Sequence, residues 1–219
     1  MRPVREGLCA RRDRAAVTTT GILVVGIGGQ GVMTAAEALA RAAIAAGFQA
    51  TKTEVTGMSQ RGGVVCSQVR IGSKIEASDV RPGDARLLIA FEAAEGLRWC
   101  HYLAPGGRAL LDRWRAVPPI VSSGEFAYPE DPVREMRVLG ADVLELDARG
   151  LAMEIGDVRL ANSVMLGAAS DCLPFPAEVL RDEVLLRFGK NEKLAESNAQ
   201  AFDAGRAFGK SRADHVFSK

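Results

Sequence analysis

The stretch Ile22-Leu23-Val24-Val25-Gly26-Ile27-Gly28-Gly29-Gln30-Gly31-Val32 decides how this chain is read. Four apolar residues run into a cluster of glycines, and an Ala-rich segment follows. An apolar run cut off by glycine predicts a buried strand of a mostly parallel sheet. The glycines predict a tight turn, because positive φ costs glycine nothing and the missing Cβ lets a ligand approach the backbone. Val32 to Ala46 then predicts a helix, whose first N–H groups would point outward at the positive end of the helix dipole. That geometry suits a phosphate or a carboxylate. The spacing Gly26-x-Gly28-x-x-Gly31 also matches the dinucleotide fingerprint. A turn that merely lets helix and sheet pack closely has the same pattern, and both readings stay open on this stretch alone. A P-loop is excluded, since Val32 and Met33 stand where its Lys and Ser/Thr would be.

Working outward, the helix after the turn has Thr34, Glu37 and Arg41 as its strongly polar residues, all on one face. A stripe that narrow predicts cover on most sides, by the sheet and by a partner or a second copy. Gly47 should end it. Phe48 to Val55 predicts the second strand, with Glu54 following Gly31 by 23 residues, near the place of a ribose-binding acid. The next residues, Thr56-Gly57-Met58-Ser59-Gln60-Arg61-Gly62-Gly63, form a second glycine loop that is foreign to a dinucleotide fold. Val64 to Ile71 reads as a strand, and Gly72-Ser73 followed by Lys74-Ile75-Glu76 as a hairpin signal. Ala85 to Phe91 predicts a central strand, Glu92 to Leu103 a helix and Pro105-Gly106-Gly107 a turn. Short strands are predicted from Ala109 and over Asp142 to Leu146, with Val117 to Pro132 as a surface loop between them. Helices are predicted over Asp147 to Ile155 with Asp147 as N-cap, over Ser163 to Cys172 starting at Asn162 or Ser163, over Ala177 to Phe188, and from Asn191 to Phe208. On the last, Leu194, Ala201, Phe202, Gly205 and Phe208 share an apolar stripe with Asn198, an amide that must find hydrogen bonds if buried.

The whole is therefore expected to be α/β: a Rossmann-like, doubly wound, mostly parallel sheet with an antiparallel hairpin addition, in three layers. The domain is expected over 21–210. Residues 1–20 carry Arg2, Arg5, Arg11, Arg12 and Arg14 without an apolar block, and are expected to be a disordered basic arm, with 211–219 as a tail. A net charge of +1 gives no field that argues for nucleic acid. No apolar run approaches a membrane span, and a cytoplasmic protein is expected. Cys9, Cys66, Cys100 and Cys172 are scattered rather than paired as Cys-x-x-Cys. Neither an iron–sulfur cluster nor structural zinc is expected on this chain. His101 and His215 are the only histidines, and neither sits in a catalytic pattern.

Gly26 to Gly31, then Glu54-Val-Thr-Gly-Met-Ser-Gln-Arg-Gly-Gly63, then Val69-Arg-Ile-Gly72, closely resemble the gamma domain of 2-oxoacid:ferredoxin oxidoreductases. The likeness is greatest to the branch that acts on indolepyruvate and other aryl pyruvates. It continues through Asn162 to Gly167 and the Asn198, Ala201, Phe202, Gly205 pattern, and leaves out the basic arm. The resemblance implies an accessory subunit of an enzyme that oxidatively decarboxylates a 2-oxoacid to an acyl-CoA. Thiamine diphosphate and iron–sulfur clusters would then belong to a larger alpha-type partner subunit, and electrons would pass to ferredoxin through the complex. The isolated chain would be inactive, with no catalytic residue and no tightly bound group of its own. Coenzyme A is the ligand that could touch this chain. The residues for it are Gly28, Gly29, Gln30 and Gly31 on the first loop and Ser59, Gln60, Arg61, Gly62 and Gly63 on the second. Arg61 has a planar cationic fork suited to phosphate or carboxylate, or equally to an ion pair across a subunit interface. A free-standing NAD- or flavin-binding oxidoreductase, a ligand-free scaffold subunit and a homodimer remain open beside this reading.

Overall fold

The computed structural model describes residues 19–56, 63–116, 128–189 and 191–216. Expectations for the N-terminal arm, for residues 57–62 and for 117–127 fall outside the described residues. Strand β1 (Thr20–Ile27) runs through the core, with Ile22 to Val25 fully buried. It turns at Gly28–Gly31 into helix α1 (Val32–Ala45). Strands β2 (Gln49–Thr56), β3 (Val64–Gly72), β4 (Ala85–Ala90), β5 (Leu103–Asp112) and β6 (Asp142–Leu146) complete a sheet in the order β2-β3-β1-β4-β5-β6. β1, β4, β5 and β6 are parallel neighbours, while β3 is antiparallel to both β1 and β2.

The antiparallel element is therefore present but differs from the expected one. The hairpin is β2–β3, closed by the second glycine loop, and Lys74-Ile75-Glu76 adds no strand. β3 is not appended to the sheet; it lies between β1 and β2. The Pro105-Gly106-Gly107 turn is kept as an irregularity within β5: Leu103 pairs with Ala85, Arg108 pairs with Leu87, and the residues between bulge out. One helix was not foreseen, α3 (Pro132–Val138), which starts at the last residue of the stretch read as a loop and runs on beyond it. Its signals are Pro132 at the first helical position and Asp131, whose carboxylate accepts the Arg134 N–H at 2.9 Å.

Two cores lie on the two faces of the sheet. Alternate residues of β1 divide them: Ile22 and Val24 face one, Leu23 and Val25 the other. Helix α2 (Ala93–Trp99) and α3 cover the second. The first is the larger and holds α1, α4 (Ala148–Ile155), α5 (Ala161–Ala169), α6 (Ala177–Leu186) and α7 (Glu192–Val216). Asp147 caps α4 as expected, accepting the Gly150 N–H at 2.7 Å. Helix α7 continues past Phe208 to Val216. The second cover over α1, expected from a partner, comes in part from this chain's own α6, tied by an Arg41–Glu183 ion pair at 3.0 Å. Among the described residues no helix is long and apolar enough to cross a membrane.

Helices α5 and α7 touch backbone to backbone. A Cβ on Gly167 would stand 2.0 Å from the Phe202 carbonyl oxygen, and one on Gly205 would stand 2.0 Å from that of Val164. Only glycine at both crossings permits this approach. Beside it, Ser163 Oγ donates to Asn198 Oδ1 at 2.6 Å and Asn198 Nδ2 donates to the Leu194 carbonyl at 2.8 Å, so the buried amide of α7 ties the two helices together.

Candidate functional site

Chain connections leave β1 toward β2 and leave β4 toward β5, on opposite sides. The crevice between the carboxyl ends of β1 and β4 is thus the switch point of the sheet, where ligands of such folds bind. The first glycine turn lies there. Gly29 and Gly31 have φ of 97° and 79°, and Gly31 sits at the start of α1 in the left-handed region. The turn is stiffened from within. Gln30 Oε1 accepts the Ile27 N–H at 2.7 Å, and Gln30 Nε2 donates to the Phe91 carbonyl at 2.7 Å. The Gln30 side chain therefore bridges β1 and β4 across the crevice, and a Cβ on Gly26 would meet its oxygen at 2.5 Å.

Two N–H groups of the Gly28–Gly31 turn are used internally. The Gly28 N–H donates to the Gly63 carbonyl at 2.9 Å, and the Gln30 N–H donates to that of Ile27 at 3.2 Å. Gly29 and Gly31 line the cleft beside the turn. Of the second loop, Gly63 is brought against the first turn; Ser59, Gln60, Arg61 and Gly62 lie outside the described residues. The two loops do not leave adjacent strands. They leave β1 and β2, which are separated by β3, and they meet because Val64, the first residue of β3, pairs with Ile27.

Asn162 or Ser163 is the expected start of helix α5. The helix begins at Ala161 with no side-chain cap, and Asn162 Nδ2 donates to the Gly31 carbonyl at 2.9 Å and to that of Gln30 at 3.4 Å. No local pattern signals this, since the partners are 131 residues apart. A cleft of about 620 Å³ opens from the turn along α1, lined by Met33, Glu37, Arg41, Asp112, Arg149 and Arg187 among others. The Arg149 guanidinium lies over the Trp114 ring, 4.0 Å from its centroid. Asp112, at the carboxyl end of β5, accepts the Ala148 N–H at 3.2 Å. Burial pushes its carboxyl up to about 6, against the backbone N–H bonds from Ala148 and Trp114.

The dinucleotide reading meets two obstacles here. Glu54 stands on the edge strand, away from the β1–β4 crevice, and is paired with Lys52 at 2.9 Å. Gln30 also occupies the crevice that a pyrophosphate would cross. Among the described residues no three His, Cys, Asp or Glu side chains converge as metal ligands. The Cys66 thiol is pushed up to about 12 by burial, with the nearby Glu95 charge adding to it, so it is held as an inert thiol.

This architecture defines a class: an α/β subunit with a braced glycine turn at the switch point of a sheet that carries an inserted antiparallel strand. Residues 21–208 match the family described as pyruvate ferredoxin/flavodoxin oxidoreductase, and the chain belongs to that family. It is a subunit of the 2-oxoacid:ferredoxin oxidoreductase kind, an oxidoreductase acting on 2-oxo acids. It is 36% identical over 190 residues to the indolepyruvate oxidoreductase subunit IorB of Thermococcus kodakarensis, covering 84% of this chain and 93% of that one. The gamma subunit of keto/oxoacid ferredoxin oxidoreductase from Geobacter sulfurreducens shares the fold with a TM-score of 0.63 at 24% identity, covering 88% of this chain and 99% of that one. The 2-oxoglutarate:ferredoxin oxidoreductase of Magnetococcus marinus, with 2-oxoglutarate, coenzyme A and succinyl-CoA bound, has a TM-score of 0.70 at 24% identity, covering 88% of this chain and 31% of that one.

Proposed function

We propose that this chain is the accessory subunit of an indolepyruvate or other aryl-pyruvate:ferredoxin oxidoreductase and forms one wall of its coenzyme A site. The substrate class is carried over from the similarity to IorB. Thiamine diphosphate and the iron–sulfur clusters are assigned to the larger partner subunit. The observation that carries the reading is the Gly28–Gly63 hydrogen bond, which holds the end of the Arg61 loop against the glycine turn at the switch point. Arg61 would supply a bidentate fork to a phosphate of coenzyme A, and the backbone of Gly29 and Gly31 a surface without side chains. Gln30 and Asn162 would act through the turn, as positioning residues.

The reading is tested by reconstitution. The isolated chain, given indolepyruvate, coenzyme A and ferredoxin, should not reduce ferredoxin. With the larger subunit it should do so, faster with aryl than with short aliphatic 2-oxoacids. Turnover by the isolated chain would overturn the accessory role, and preference for pyruvate would overturn the substrate class. A ligand-free scaffold is the second reading, favoured by the internal use of the Gly28 and Gln30 N–H groups.

A further inference from the structure

We infer that the free edge of β2 pairs with the β2 of a second copy of this chain, antiparallel, about a two-fold axis at Thr53. Among the described residues β2 is the end strand of the sheet, hydrogen-bonded on one side by β3. No strand among the described residues pairs with its outer side, whose backbone groups are a template for another strand. Its side chains decide which strand fits. Ala50 packs on the core beneath α1, and Lys52 reaches Glu37 of α1, so Ala50, Lys52 and Glu54 share the α1 face. Thr51, Thr53 and Val55 take the other face.

Antiparallel self-pairing centred on Thr53 sets Lys52 opposite Glu54 of the second copy, and Glu54 opposite its Lys52. Moving the centre to residue 52 would oppose Lys52 to itself, and moving it to residue 54 would oppose Glu54 to itself. One register is attractive and its neighbours are repulsive, so charge specifies the pairing. An edge protected against its own kind carries like charges that meet; this one carries opposite charges that meet. Lys52 has room for the contact. Two of the three ammonium donors serve Glu37 Oε2 and Glu54 Oε1, each at 2.9 Å, leaving a third for the second copy. On the other face, Thr51 comes opposite Val55. Val55 is 51% exposed, and Thr51 Oγ1 is buried without a hydrogen-bond partner among the described residues. Two β-branched side chains facing each other across strands are a stabilising pair.

The result would be one continuous sheet through two copies, with both α1 helices on the same side. Both glycine turns would remain at carboxyl ends of strands and free of the junction.

The test uses the full-length chain. Sedimentation equilibrium should give a dimer, and Glu54→Lys, which keeps the Lys52–Glu37 pair, should raise its dissociation constant at least about tenfold. Adding Lys52→Glu to Glu54→Lys should restore dimerisation with the charges exchanged. Separately, Thr53→Cys should cross-link to itself under mild oxidation, where the parent chain with its own cysteines does not. A monomeric parent chain, a dimer indifferent to Glu54→Lys, or a Thr53→Cys chain that stays uncross-linked while dimeric would each overturn the proposal. So would a β2 edge protected from hydrogen exchange only when the larger subunit is added, which would assign the edge to that subunit. Melting curves of each variant confirm that the monomer fold is intact.

Discussion

Asn162 Nδ2 lies 2.9 Å from the Gly31 carbonyl oxygen, so a side chain on α5 holds the first turn of α1. The bond ties the C-terminal half of the chain to the glycine turn. It also fills the space beside Gly31, where a Cβ would meet Asn162 Nδ2 at 2.7 Å.

Asn162→Ala should therefore lower stability by about 0.5–1.5 kcal/mol, the net scale of one hydrogen bond, since the Gly31 carbonyl still accepts the Ala35 N–H at 2.9 Å. Gly31→Ala should cost at least as much, since φ of 79° penalises any residue with a Cβ. Urea unfolding of the purified chain measures both. Stabilities equal to the parent would show that the turn does not depend on this bond.

The contact between α5 and α7 makes a sharper expectation. Gly167→Ala and Gly205→Ala each place a methyl 2.0 Å from a backbone oxygen that cannot move without its helix. Each should cost about 3 kcal/mol, at or above the upper end for overpacking. Gly189→Ala is the control: its nearest contact would be 3.4 Å and its backbone is not left-handed, so its midpoint should hardly change.

Asp112 predicts a pH dependence. Burial holds its native pKa at about 6, above the usual unfolded value of about 3.9. The native state then keeps a proton that the unfolded chain has lost, so stability falls as pH rises from about 4 to about 6. The buried carboxyl of Glu95 is also pushed up, by desolvation, and acts in the same direction. The informative quantity is thus the difference between the parent chain and Asp112→Asn. That difference should shift in favour of the variant across this window and be flat above it. A difference that is flat from about pH 4 to 7 would place the Asp112 pKa near its ordinary value.

Arg61 carries the ligand expectation. If its guanidinium holds a phosphate of coenzyme A, Arg61→Ala should weaken binding to the assembled complex by about 1.5–3 kcal/mol, roughly ten- to a hundredfold. Arg61→Lys should rescue only part, because the fork is lost. Calorimetric titration of coenzyme A into both complexes decides it. Unchanged affinity with weakened subunit association would make Arg61 an interface residue.

Much of this molecule follows from local chemistry. The apolar run Ile22–Val25 ending at glycine specifies a buried strand, and Gly47 ends α1 with φ of 84°. Asp147 caps α4 with its own carboxylate. These are short-range effects, complete within a few residues, so they are legible one residue at a time. The glycine turn and the Met58–Gly63 loop mark the family for the same reason, each being a local pattern.

The tertiary structure decided what depends on pairing across the chain. The insertion of β3 between β1 and β2 follows from a register that sets Ile22 opposite Val69 and Val25 opposite Cys66, in strands that carry no local mark of which neighbour they will choose. A β-rich run such as Val64–Gly72 fits beside either strand. Only packing both its faces, Cys66 into one core and Val69 and Ile71 into the other, selects the central place. Likewise, Asn162 reads in sequence only as a candidate first residue of an apolar helix, because its place there says nothing of Gly31. Its role exists only once α5 is pressed against α7 through Gly167 and Gly205, which brings its amide to a turn formed at the other end of the chain.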